Sequence, residues 1–213
     1  MTRTLWLYCL VNAAALLQGC APVLIGAGGA MAYSSLEDRR SAGVQFDDEG
    51  IELRTANRVT ERYADAVHIN VTSYNRLVLL TGEVPDARAR EDVEKIARAV
   101  PGVRGVTNEL EVAGVSSLGA RTNDSFITSK VKASLFDAGK VSSVHVKVVT
   151  ENGVVYLLGI VTEAEANQTA EVARTVAGVR KVVKVFELCK PTDEICRPRP
   201  KAPAEPQKPR AAA

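Results

Sequence analysis

Cys20 has the most distinctive chemical setting in the chain. It closes the stretch Leu16-Leu17-Gln18-Gly19-Cys20, which follows one cation, Arg3, and an apolar run from Leu5 to Leu17. A basic start, an apolar middle of about 7–15 residues and small residues at the cut describe a secretory signal peptide. The run of 13 residues is shorter than the roughly 20 that a membrane-spanning helix needs. Cleavage is expected before Cys20, so residues 1–19 read as a signal peptide. Taken alone, this layout also fits an ordinary signal peptide with an incidental cysteine.

Other reactive residues are few. His68 and His145 are the only histidines, and they occupy equivalent places at the start of similar strands. A repeated position points to a shared structural role or none, rather than to catalysis. No nucleophile elbow, phosphate loop or metal-ligand cluster is legible. The chain is therefore expected not to be an enzyme and to carry no metal or other cofactor. Cys189 and Cys196 have six residues between them. An oxidising compartment would allow a disulfide there, but sequence cannot show whether their Cα atoms come close enough.

Those residues must be positioned by a small chain. Its 213 residues allow one or two domains. Once Arg3 has left, 26 basic residues face 25 acidic ones, which excludes nucleic-acid binding by bulk charge. Hydrophobic residues make up 46% and aromatics 5%, so the core must be built mainly from Val, Leu, Ile and Ala.

An internal repeat sets the architecture. His68-Ile69-Asn70-Val71-Thr72 with Leu77-Val78-Leu79-Leu80-Thr81-Gly82 returns as His145-Val146-Lys147-Val148-Val149 with Val154-Val155-Tyr156-Leu157-Leu158-Gly159. Ile96–Arg104 returns as Val172–Arg180. Each copy reads as an opening helix (about 50–63 or 124–136), an alternating strand, a tight turn and a second strand. A second helix (about 86–100 or 163–176) and a last strand follow. Asn152-Gly153 is a strong hairpin signal. The predicted fold is α+β: two tandem αββαβ domains, at 49–114 and 121–189, each with two helices on a three-stranded mixed sheet. Residues 20–48 read as a tether able to reach about 90–100 Å at full extension. Gly119 is expected to loosen the linker. Residues 190–213 hold six of the nine prolines with six basic and three acidic residues, and are expected to form a disordered tail.

In the second copy, Asn123 or Asp124 is expected to cap the opening helix. Ile127, Val131 and Leu135 share its core-facing stripe. Phe126 falls at the edge of that stripe, with Lys130 one turn on. It either enters a lipid surface, its neighbouring ammonium meeting phosphate, or packs against the sheet or the first domain.

The pattern resembles the BON domain, a small α+β module often found in tandem in periplasmic and outer-membrane proteins. The match rests on the glycine after the second strand (Gly82, Gly159) and the Gly-Val pair after the second helix (Gly102-Val103, Gly178-Val179). Leu17-Gln18-Gly19-Cys20 resembles the lipobox of bacterial lipoproteins. With that and Thr122–Thr128, the whole is similar to dual-BON outer-membrane lipoproteins. The resemblance implies a covalent lipid on Cys20. Ala21, where an aspartate would signal inner-membrane retention, implies the inner leaflet of the outer membrane, facing the periplasm. It also implies support of envelope integrity and binding of anionic phospholipid through the second domain, here by Asn123, Asp124, Phe126, Ile127 and Lys130. The family carries a tryptophan where this chain has Phe126. The alternative is an adaptor or chaperone-like factor, partnered by the outer-membrane assembly machinery or by cell-wall or division proteins. No nucleic-acid partner is expected.

Overall fold

The structure is a computed structural model that describes residues 38–139 and 145–196. The signal peptide, Cys20, most of the tether and the tail beyond residue 196 lie outside the described residues. Two copies of one αββαβ unit follow each other, as the repeat predicts.

The first copy opens with α1, Ala42–Tyr63. It starts well before the expected residue 50, inside the predicted tether. Ser41 is its cap, accepting from the Val44 amide at 3.3 Å. The early start was hidden because Asp48 is the only buried residue in its first two turns, so no apolar period announces it. Strands β1 (His68–Tyr74) and β2 (Leu77–Val84) form an antiparallel hairpin. Asn75 and Arg76 turn it, with φ of 51° and 63°. Two left-handed residues give the turn a twist that matches the strands. Helix α2, Ala87–Arg98, is capped by Asp86. Strands β3 (Gly105–Asn108) and β4 (Glu111–Val112) both run parallel to β2. They form one track, broken where the buried Leu110 turns inward, so the first sheet has one more strand segment than the three predicted.

The second copy repeats the plan with α3 (Leu118–Ala138), β5 (Lys147–Glu151), β6 (Val154–Val161), α4 (Glu163–Arg174) and β7 (Lys181–Leu188). Its sheet order is β5-β6-β7, with β6 central, antiparallel to β5 and parallel to β7. Helix α3 begins at Leu118, capped by Ser117. The expected caps Asn123 and Asp124 therefore lie inside the helix, and so does Gly119. The linker is pinned where the Ser116 amide donates to the Glu83 carboxylate at 3.2 Å.

Each copy has its own core between helices and sheet. In the first, Ile51 and Val59 meet Val78, Leu80, Val84, Val93 and Ala97. In the second, Ile127, Val131 and Leu135 meet Val155, Leu157 and Val161. Full burial of each such side chain stabilises by about 1.5–3 kcal/mol. A third core, which sequence reading missed, joins the copies. Tyr74 and Leu79 from the first sheet pack with Tyr156, Leu158 and Ile160 from the second. Alternate residues of β2 and β6 thus face the helices and the seam. Burial there pushes the Tyr156 phenol up to about 12, with nearby Glu109, Glu111 and Glu151 adding to the shift. The signal was present in Leu77–Leu80 and Val154–Leu158, which are apolar at successive positions rather than alternating. Such runs mark strands buried on both faces.

A strap crosses the second copy. Arg39 precedes the first copy in sequence, yet its buried guanidinium donates to Glu165 twice at 2.9 Å, to the Ile160 carbonyl at 2.7 Å and to the Cys196 carbonyl at 3.4 Å. Cys196 lies in a loop closed by a disulfide to Cys189, with Cα atoms 6.2 Å apart, so the stretch 190–196 at the head of the predicted tail is held. Partial burial of Glu165 opposes its ionisation. Hydrogen bonds from Arg39 and Thr162 outweigh that and hold its carboxyl at about 2, below its ordinary 4.5. A depressed folded-state value stabilises the fold above pH 4.5, and that contribution fades as pH falls toward 2. Solvent at the carboxylate limits it to about 1–2 kcal/mol. Urea unfolding of the native chain between pH 5 and pH 2.5, about the range of the shift, should therefore lose that much more stability than the Glu165→Gln variant loses. Equal losses in both would show that the strap contributes no ionic stabilisation.

Candidate functional site

Helix α3 divides its residues cleanly. Ile127, Val131 and Leu135 are buried, as their spacing predicts. Asp124 is buried too, and it reaches across to the hairpin between β5 and β6. Its two carboxylate oxygens accept from the amides of Asn152 at 2.9 Å and Gly153 at 2.8 Å. Asp124 and Ile127, expected among lipid-contacting residues, are therefore withdrawn from the surface. One holds a turn and the other fills the core.

Asn123 and Phe126 remain on the exposed face. Phe126 is 64% exposed. Lys130 is half-buried. Its ammonium stands 5.1 Å from the centre of the Phe126 ring and also donates to the Ala177 carbonyl. The pair is a cation over an aromatic face, not an ammonium aimed freely outward. Two residues that sequence reading missed extend the face: Leu118 and Phe136, 78% and 74% exposed. At 100° per residue both lie about 80° round the helix from Phe126. Ser117, directly before Leu118, was the available signal that the helix starts there. Between these apolar groups sit Thr122, Ser125 and Ser129. Each hydroxyl donates to the carbonyl four residues back, at 2.9–3.0 Å. Their donors are satisfied within the helix, so this face loses little when water leaves it.

Asp48 is the first copy's counterpart of Asp124. It accepts from the Ser73 hydroxyl at 2.6 Å and from the Asn75 and Arg76 amides at 2.8 and 2.6 Å. Both aspartates are buried, and each ties its opening helix to its hairpin. The repeat spacing could have found them. The histidines share a backbone role. The carbonyls of His68 and His145 lie against Gly82 and Gly159, where an added Cβ would come within 2.0 and 2.4 Å. Helix α1 also carries exposed apolar residues, Phe46 and Leu53, seven apart and so on one stripe. No helix among the described residues is long and apolar enough to cross a membrane.

Two small αββαβ modules, fused through a common seam and each with its opening helix turned partly to solvent, define a tandem α+β protein. The sequence pattern of the BON domain matches residues 47–114 and 123–190, and the chain belongs to the BON-domain family. It is similar to the outer membrane lipoprotein DolP of Haemophilus influenzae, 41% identical over 180 residues that cover 84% of this chain and 93% of that protein. It is also 41% identical to a 21 kDa hemolysin of Actinobacillus pleuropneumoniae, over 70% of this chain and 78% of that one. To the osmotically-inducible protein Y of Escherichia coli it is 34% identical, over 64% of this chain and 70% of that one.

Proposed function

We propose that this chain is a lipoprotein of the outer membrane that binds rather than catalyses. Lipid on Cys20 anchors it in the inner leaflet, facing the periplasm. The exposed face of α3 docks on anionic phospholipid, and the protein supports envelope integrity. The observation that carries this reading is Phe126, exposed beneath the Lys130 ammonium with Leu118 and Phe136 beside it. The relative named an outer membrane lipoprotein, matched over most of both chains, supports the location. Ring burial in the acyl boundary would contribute about 1–2 kcal/mol, and each nearby lysine about 1 kcal/mol on an anionic surface.

Vesicle flotation with and without phosphatidylglycerol tests it. Phe126→Ala should weaken binding to the anionic vesicles about five- to thirtyfold, from the loss of that burial, and leave the melting temperature unchanged. Loss of both would make Phe126 part of the fold. Equal flotation on neutral vesicles would remove the anionic lipid. Phe46 and Leu53 support a second reading, an adaptor for outer-membrane assembly, cell-wall or division proteins through α1. That reading requires a partner lost on substituting both residues while flotation persists.

A further inference from the structure

Sequence reading found no metal-ligand cluster, yet folding brings three residues of ligand type together at the seam. His68 opens β1, Glu83 lies near the end of β2 and Glu151 ends β5 in the other copy. The His68 Nδ1 is 3.0 Å from a Glu83 oxygen and 4.0 Å from a Glu151 oxygen. One ligand atom from each residue falls within 4.8 Å of the other two. The three side chains are only 16%, 6% and 9% exposed. Bonds of about 2.0–2.2 Å from zinc to nitrogen and oxygen place neighbouring ligands about 3.3 Å apart, within the observed spread. One imidazole with two carboxylates suits zinc-class divalent ions. Three such ligands are too few for calcium, and the imidazole is wrong for magnesium.

The surroundings fit a cation. The Glu151 oxygen turned away from His68 accepts from Asn70 at 2.6 Å and Thr81 at 3.4 Å, which fixes the carboxylate with its other oxygen toward the centre. Such outer bonds are what hold metal ligands in place. The buried Asp124 lines the same cavity, of about 450 Å³, as His68 and Glu151. The cation that lines it, Arg121, is committed to the Ser116 hydroxyl and carbonyl at 3.2 and 3.0 Å. Buried carboxylates facing one another need a positive charge between them, and the cavity supplies an entry path and room for a water in the fourth position.

We propose that His68, Glu83 and Glu151 form a zinc-class divalent cation site that ties the two BON domains together. The test uses the full chain in detergent, stripped with chelator and titrated with cobalt(II) and then zinc(II). One equivalent of cobalt should bind, with the absorption of a four- or five-coordinate ion, and zinc should displace it. Zinc should raise the melting temperature by several degrees through preferential binding to the folded state. His68→Gln and Glu151→Gln should each weaken binding at least tenfold. Should either variant fail to fold, the native chain decides: zinc must shift the ring-nitrogen resonances of His68 and leave those of His145 in place. No saturable binding, a thiolate spectrum from the cysteines, binding unchanged in folded variants or an unmoved His68 ring would each overturn the site.

Discussion

Gly82→Ala should lower the unfolding free energy by about 3–4 kcal/mol, the sum expected for a strained backbone and an overpacked contact. The cause is local and twofold. Gly82 has a φ of +113°, and a Cβ built on it would stand 2.0 Å from the His68 carbonyl oxygen and 2.9 Å from its carbon. The obstacle is backbone, so no side chain can step aside. Relief would require β1 to move off β2 at the Ile69–Gly82 pair, opening the hairpin that carries half the first sheet. Gly159 faces the same obstacle at 2.4 Å, without a positive φ, so Gly159→Ala should cost less, about 2–3 kcal/mol from sterics alone. Gly114 has nothing within 4 Å, and Gly114→Ala should change stability by less than about 0.5 kcal/mol. Urea midpoints for the three variants check the order. Losses at Gly82 and Gly159 no larger than at Gly114 would mean that neither strand pair is this tight.

Asp48→Ala is expected to cost about 3 kcal/mol or more. Its carboxylate holds two turn amides, the Ser73 hydroxyl and the Arg40 guanidinium, the last at 2.8 Å. Alanine removes the acceptor of the two turn amides and the Ser73 hydroxyl, at about 1–3 kcal/mol for each buried group that water cannot reach. Asp124→Ala removes an acceptor from two amides and should cost about 2 kcal/mol by the same reasoning. Amide exchange gives the sharper reading. Protection at Asn75 and Arg76 should collapse in the first variant and stay native in the second, where Asn152 and Gly153 are exposed instead. Uniform loss across both hairpins would show that the aspartates act on the whole fold, not on their own turns.

Much of the architecture was legible because the chain states it twice. A turn signal as strong as Asn152-Gly153, aligned with Asn75-Arg76, fixes both hairpins, and the helical stripe of Ile127, Val131 and Leu135 fixes which side of α3 turns inward. Helix starts were less legible, since the first turns of α1 and α3 have little apolar period and depend on one serine cap each. Asp124 was misread for a physical reason. A short carboxylate near a helix start looks like its cap, and nothing local reveals that its hydrogen bonds close a hairpin 28 residues later. Phe126 could be placed at the edge of the stripe, but Leu118 and Phe136 could not join it until the helix had its true length. The meeting of His68 and Glu83 with Glu151 was invisible, because it depends on how one copy is turned against the other.

The seam between the sheets has a mechanical meaning. Tyr74 and Leu79 interlock with Tyr156, Leu158 and Ile160, and Asn75 and Arg104 of the first copy both reach Glu187 of the second. A pair joined in this way has no hinge at its waist. Whatever grips one module aims the other, so the docking proposed for α3 would present the stripe of Phe46 and Leu53 at a fixed bearing.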